Sequence, residues 1–192
     1  FKNCVSLTTA SIQGSIDDIN PNTFLECTSL TSVSIPSSVK TIDNNAFKGC
    51  KNLSAFEFPS SLLKLGSSAF EGCSALHEAI LPNMLKSIGS SAFEGCSSLD
   101  SVFVGGMVQE IDSKTFYRCT TLRGIALPTT IKKIGSKAFQ ECSTLAEIKL
   151  PVAVSQIGDD AFKKCSSLQE INLPVSVMSI GSDVFYECTM PA

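Results

Sequence analysis

A solenoid of α/β type, wound in about eight repeats of 23 residues, follows from the spacing of three residue types. Cysteine stands at Cys4, Cys27, Cys50, Cys73, Cys96, Cys119, Cys142, Cys165 and Cys188, each 23 residues from the next. Phenylalanine keeps the same period three residues upstream, from Phe1 and Phe24 to Phe162 and Phe185, so the repeat carries no insertion or deletion. Leucine follows each cysteine by three residues from Leu7 to Leu168. Each repeat of a solenoid touches only its neighbours, so residues 1–192 are expected to form one elongated domain.

Within a repeat, the sixth and eighth residues after cysteine are apolar and alternate with outward ones, as in Ile171 and Leu173 around Asn172. That alternation predicts a short strand, and the strands are expected to stack into a parallel, concave sheet. Proline at the ninth position (Pro36, Pro59, Pro82, Pro128, Pro151, Pro174) ends the strand, because it cannot donate to the ladder. A second apolar pair, such as Ile131 and Ile134, predicts a second short extended segment. Glycine then follows at Gly66, Gly89, Gly135, Gly158 and Gly181, where a turn with positive φ is expected. Ala-Phe-x-x-Cys, preceded by Ser or Asp, reads as one short capped helical turn. One repeat cannot bury these side chains alone, so stacking supplies the core.

Composition excludes several function classes. A net charge of -3 and a pI near 5.2 give no electrostatic reason to bind nucleic acid. The sequence holds no apolar run of the ~18 residues that a membrane-spanning helix needs, and no signal-peptide pattern. Both ends fall inside the repeat phase, the last residues being Thr189-Met190-Pro191-Ala192, so a fragment without polar capping repeats is expected. The cysteines lack the clustered spacing of metal ligands, and in-register side chains stand too far apart for disulfides, so buried free thiols are expected. No cofactor is implied. His77, four residues after Cys73, is the one histidine that could serve a thiol nucleophile, and it belongs on a strand facing away from the cysteine.

The run Leu-x-x-Ile-x-Leu-Pro-x-x-Val-x-x-Ile-Gly-x-x-Ala-Phe-x-x-Cys, from Leu145 to Cys165, resembles the BspA-like, or Treponema-type, leucine-rich repeat. The resemblance covers essentially the whole chain. It implies a curved leucine-rich-repeat solenoid and a family common in surface proteins of bacteria and some parasitic protists. There the usual assignment is adhesion to host proteins, and no catalytic motif is carried over. A cell-surface or secreted protein that binds an extracellular-matrix or plasma protein is the expectation. A periplasmic or cytoplasmic scaffold that associates with itself is the alternative.

The outward column at the seventh position reads Ser11, Ser34, Glu57, Ile80, Phe103, Ala126, Lys149, Asn172. Its apolar middle, Ile80, Phe103 and Ala126, is the candidate partner-binding site. Met84 and Met107 join it from the eleventh position, and His77, Asp100 and Arg123 flank it from the fourth. Exposed apolar patches with polar rims mark interaction sites, and methionine adapts to varied partners. His77, Asp100 and Arg123 read as a solvated row of polar side chains on adjacent strands and not as a catalytic trio. The fifth repeat departs from the pattern with Gly105-Gly106-Met107 in place of Pro-x-x, where the glycines are expected to admit close backbone approach. Asn52-Leu53-Ser54 forms a sequon, relevant only in a eukaryotic secretory setting.

Overall fold

The computed structural model describes residues 1–189, so Met190, Pro191 and Ala192 lie outside it. The chain winds as a parallel β-solenoid of about seven turns, one turn fewer than expected. First strands are β1 (Thr9–Ser11), β3 (Ser32–Ser34), β6 (Glu78–Ile80), β8 (Ser101–Phe103) and β10 (Gly124–Ala126). Second strands are β2 (Asp18–Ile19), β4 (Thr41–Ile42), β5 (Lys64–Leu65), β7 (Ser87–Ile88), β9 (Glu110–Ile111), β11 (Lys133–Ile134), β12 (Gln156–Ile157) and β13 (Ser179–Ile180). Every pairing is parallel and joins residues 23 apart, as in Ile42 with Leu65 and Val102 with Ile125.

The expected helical turn is absent, and no helix forms among the described residues. In the stretch from Asn45 to Cys50, the amides of Asn45, Phe47 and Gly49 donate to Ser67, Ala69 and Glu71 of the next coil at 2.8–3.0 Å. The intervening amides of Ala46, Lys48 and Cys50 donate back three residues within the coil at 3.1–3.2 Å. A helix would keep all of them inside the coil. Left-handed backbone at Asn45 (φ 56) and Gly49 (φ 75) produces the alternation, and the same pair recurs as far as Asp183 and Glu187. The inter-coil bonds so gained offset a left-handed penalty of about 1 kcal/mol at each non-glycine residue.

The glycines after the second strand also serve a different purpose from the one expected. Gly66, Gly89, Gly135, Gly158 and Gly181 do not have positive φ. They lie against the coil before them: a Cβ at Gly135 would stand 2.6 Å from the Ser113 nitrogen and 2.7 Å from the Asp112 carbonyl carbon. Gly135→Ala is therefore expected to destabilise by about 1–3 kcal/mol through backbone overlap. Gly124→Ala, with nothing within 4 Å of the added Cβ, should stay within about 0.5 kcal/mol of the parent. Equal urea midpoints for the two variants would contradict this account.

The core is a set of columns. The phenylalanine rings stack along the axis with centroids 5.0–5.8 Å apart and planes within 16°. Beside them, each cysteine from Cys27 onward points its Sγ at the carbonyl of the phenylalanine 26 residues earlier, at 3.0–3.2 Å. Cysteine is thus a small apolar filler that also donates a weak hydrogen bond. All nine cysteines are free; those from Cys27 to Cys165 are buried, whereas Cys4 is exposed and Cys188 half-buried.

The ladders are interrupted at particular coils. On the first-strand face, residues 54–58 join neither β3 nor β6, and the amides of Ala55 to Phe58 find no main-chain acceptor. Both inward positions of that coil carry phenylalanine. Phe56 wedges edge-on between Phe47 and Phe70, at 5.1 and 4.8 Å, and Phe58 lies 5.3 Å from Phe70. After β10 the face retains only a single bridge, Glu147 to Glu170. The second-strand face opens between β7 and β9. There Gly105 replaces the usual proline, and a Cβ at Gly105 would overlap the Pro82 carbonyl. The close approach expected of the glycine pair is therefore made by the chain to itself, and at Gly105 alone.

Candidate functional site

Parallel pairing in register sets Ile80, Phe103 and Ala126 side by side on β6, β8 and β10. Ala79 and Val102 beside them are buried, so the strands are anchored from below while the column faces solvent. Ile80 is 58% exposed and Phe103 46%. This three-stranded patch is bounded on both sides by the breaks in the ladder.

Met84 and Met107 are exposed on the loops between first and second strands. At that position other coils tie the loop to the coil before. Ser61 donates to the Ser37 and Val39 carbonyls at 2.7 and 2.6 Å, and Thr130 to those of Gly106 and Val108 at 3.1 and 2.6 Å. Ser38 and Ser176 make related bonds. Met84 and Met107 give up a hydrogen bond of about 1 kcal/mol and expose a thioether instead. Ala153 lacks the hydroxyl as well. The column Ser38, Ser61, Thr130, Ser176 is legible in the sequence and would have marked both methionines as departures.

The eight predicted site residues do not form one pocket. Ile80 and His77 line a groove of about 600 Å3 beside Phe56, Glu57, Phe58 and Glu78. Met107 lines a separate groove of about 610 Å3 on the second-strand face, among Lys64, Lys86, Lys132, Lys133, Glu110 and Asp112. Phe103, Ala126 and Met84 line neither of these two grooves. Sequence reasoning missed Phe56 and Phe58, whose signal is that no other coil carries phenylalanine at both inward strand positions.

His77, Asp100 and Arg123 are exposed in a row, each amide bonded to a carbonyl of the coil before at 2.9–3.3 Å. No side-chain hydrogen bond or ion pair joins the three among the described residues. Burial, with Cys96 and Cys50 adding to it, pushes the Cys73 thiol well above its usual range. A thiolate for His77 to serve is therefore not formed near neutral pH. No group of His, Cys, Asp and Glu among the described residues could hold a metal ion, and no helix among them is long and apolar enough to cross a membrane.

The stacked phenylalanines, the cysteine column and the two parallel ladders coincide with a known repeat pattern. Residues 1–123 and 109–191 match the BspA type leucine rich repeat region. The chain belongs to that family. No curated protein matches this BspA type chain. Among solved structures it is similar to the leucine rich repeat protein of T. pallidum, at 34% identity and a TM-score of 0.72, over 76% of this chain and 68% of that one. It is also similar to a leucine-rich repeat protein of Eubacterium ventriosum, at 30% identity and a TM-score of 0.77, over 82% of this chain but 43% of that one. A leucine rich cell surface protein of Faecalibacterium prausnitzii shares the fold, at 21% identity and a TM-score of 0.50, over 93% of this chain and 60% of that one.

Proposed function

We propose that this BspA type solenoid is a non-enzymatic protein-recognition module of the cell surface, adhesin-like, that binds a host matrix or plasma protein through its first-strand face. The observation that carries the reading is the exposed in-register column Ile80, Phe103, Ala126. An aromatic side chain seated on a rigid sheet and left in solvent has the composition of an interface anchor, and a few such residues supply most of an interface's energy. Met84 extends the apolar surface beyond the strand end, and His77, Asp100 and Arg123 supply a polar rim. The paired strands β6, β8 and β10 are fixed in shape before binding, which lowers the entropic cost of association.

Phe103→Asp is expected to leave the fold intact, since the ring is not part of the buried column. In a binding panel of matrix and plasma proteins it should weaken a verified interaction by about 30-fold or more, the scale of an anchor worth ~2 kcal/mol. Unchanged affinity would remove the column from the interface. A mass that grows with concentration in light scattering, with no partner bound, would replace this reading with the self-associating scaffold.

A further inference from the structure

The first-strand face is interrupted where its ladder should be continuous, and the groups left open there are those of the main chain. In a parallel ladder, successive residues turn their N–H and C=O alternately to the two sides. Leu81 donates to the Phe103 carbonyl at 2.9 Å, so Ala79 and Leu81 face β8, while Glu78 and Ile80 face residues 54–58. Neither Glu78 nor Ile80 finds a main-chain acceptor on that side, and neither do Phe56 and Phe58 opposite. On the far side Ile35 lacks the bond that Ile12 makes to Ser34 at 2.9 Å. Two grooves flank the segment, about 600 Å3 toward β6 and about 470 Å3 toward β3.

We propose that the groove between residues 54–58 and β6 takes its partner as an extended polypeptide segment, paired main chain to main chain, with alternate apolar side chains and a basic residue. Open N–H and C=O groups at every second residue match another extended chain, in the mode by which sheet edges accept an added strand. Phe56 and Ile80 wall the groove as seats for apolar side chains, and Glu57 and Glu78 make its rim acidic. That charge sets the preference for lysine or arginine on the incoming segment. The continuous pairing β4–β5–β7 holds these coils one strand spacing apart, so the incoming segment pairs with β6 in the place that residues 55–58 vacate. Residues 55–58 have no main-chain bond to break if they move aside. The inference rests on the recognition reading and names the kind of partner it needs.

The test uses hydrogen exchange on the whole chain with an array of nine-residue peptides, carrying Val, Ile, Leu or Phe at alternate positions and either Lys or Glu between them. Lysine-bearing peptides are expected to bind and to slow exchange at Glu78 and Ile80 at least tenfold. The double variant Phe56→Val, Phe58→Leu gives this coil the residues found at Val102 and Leu127. It should protect the same amides unaided and lose peptide binding at least tenfold. Glu57→Lys, a surface change that leaves the core alone, leaves Glu78 opposed by one lysine and should abolish the preference for lysine-bearing over glutamate-bearing peptides. Absence of peptide-dependent protection at Glu78 and Ile80, or equal binding by the double variant, overturns the proposal. If a protein partner depends on Phe103 while these amides stay unprotected, the recognition reading stands and the extended-segment inference fails.

Discussion

Phe93→Ala is expected to cost about 3–5 kcal/mol, the range for deleting a fully buried aromatic side chain. The ring is completely buried, with Phe70 and Phe116 stacked on it at 5.6 Å on either side and Phe58 at 6.3 Å. Alanine opens a cavity that cannot collapse, because the axial main-chain bonds on both sides hold the coil spacing fixed. In a linear array the loss falls on the two interfaces of that coil. Urea unfolding should show a lower midpoint, and hydrogen exchange should rise first in the coils flanking residue 93. A loss under about 1 kcal/mol would mean that the ring column is not what joins the coils.

Alkaline pH is expected to unfold the protein at pH values that ordinary globular domains tolerate. Burial, the largest cause at each site, pushes the Cys50 thiol up to about 12 and those of Cys73, Cys96, Cys119, Cys142 and Cys165 well above the usual range. An unfolded cysteine titrates near ~8.5. Below that value both states hold the proton, and the buried thiols contribute their full stability. As pH rises through it the unfolded chain releases protons that the folded chain keeps, so stability falls until the folded thiols titrate in turn. At pH 10 each such thiol favours unfolding by about 2 kcal/mol. Six together approach the ~5–15 kcal/mol that holds a typical domain folded. Circular dichroism in urea at pH 7, 9 and 10 should show a steep fall in midpoint. A midpoint that does not move over that range would contradict the burial of the thiol column.

Much of this architecture was legible in the sequence because every coil repeats the same core positions at a fixed interval. The inward strand residues, the proline stop and the free thiols all follow from position within the repeat. The turn around Ala-Phe-x-x-Cys did not. Phe47 and Cys50 lie three apart, as on a helix face, and the glycines Gly49, Gly72 and Gly95 and the asparagines Asn22 and Asn45 hint at left-handed backbone only in some coils, since Lys114, Arg118 and Lys137 adopt it elsewhere. The second-strand glycines point to a turn when read alone, whereas their reason lies in the coil below, which the sequence places 23 residues away. The candidate site was legible as a column of outward residues. Its separation from Met107 was not, because that position lies past a bend that swings it toward the second-strand face.

Every strand pairing joins residues 23 apart, and every thiol from Cys27 onward reaches a carbonyl 26 residues behind it. A duplication or loss of one whole coil therefore brings together surfaces that already fit, wherever along the chain it falls. A change of one or two residues shifts the phase of the phenylalanine column, the thiol bonds and both ladders at once. Recombination in units of a coil can lengthen or shorten the molecule, or move an unusual coil such as the one carrying Phe56 and Phe58, and the stacking that holds it is rebuilt at each new junction.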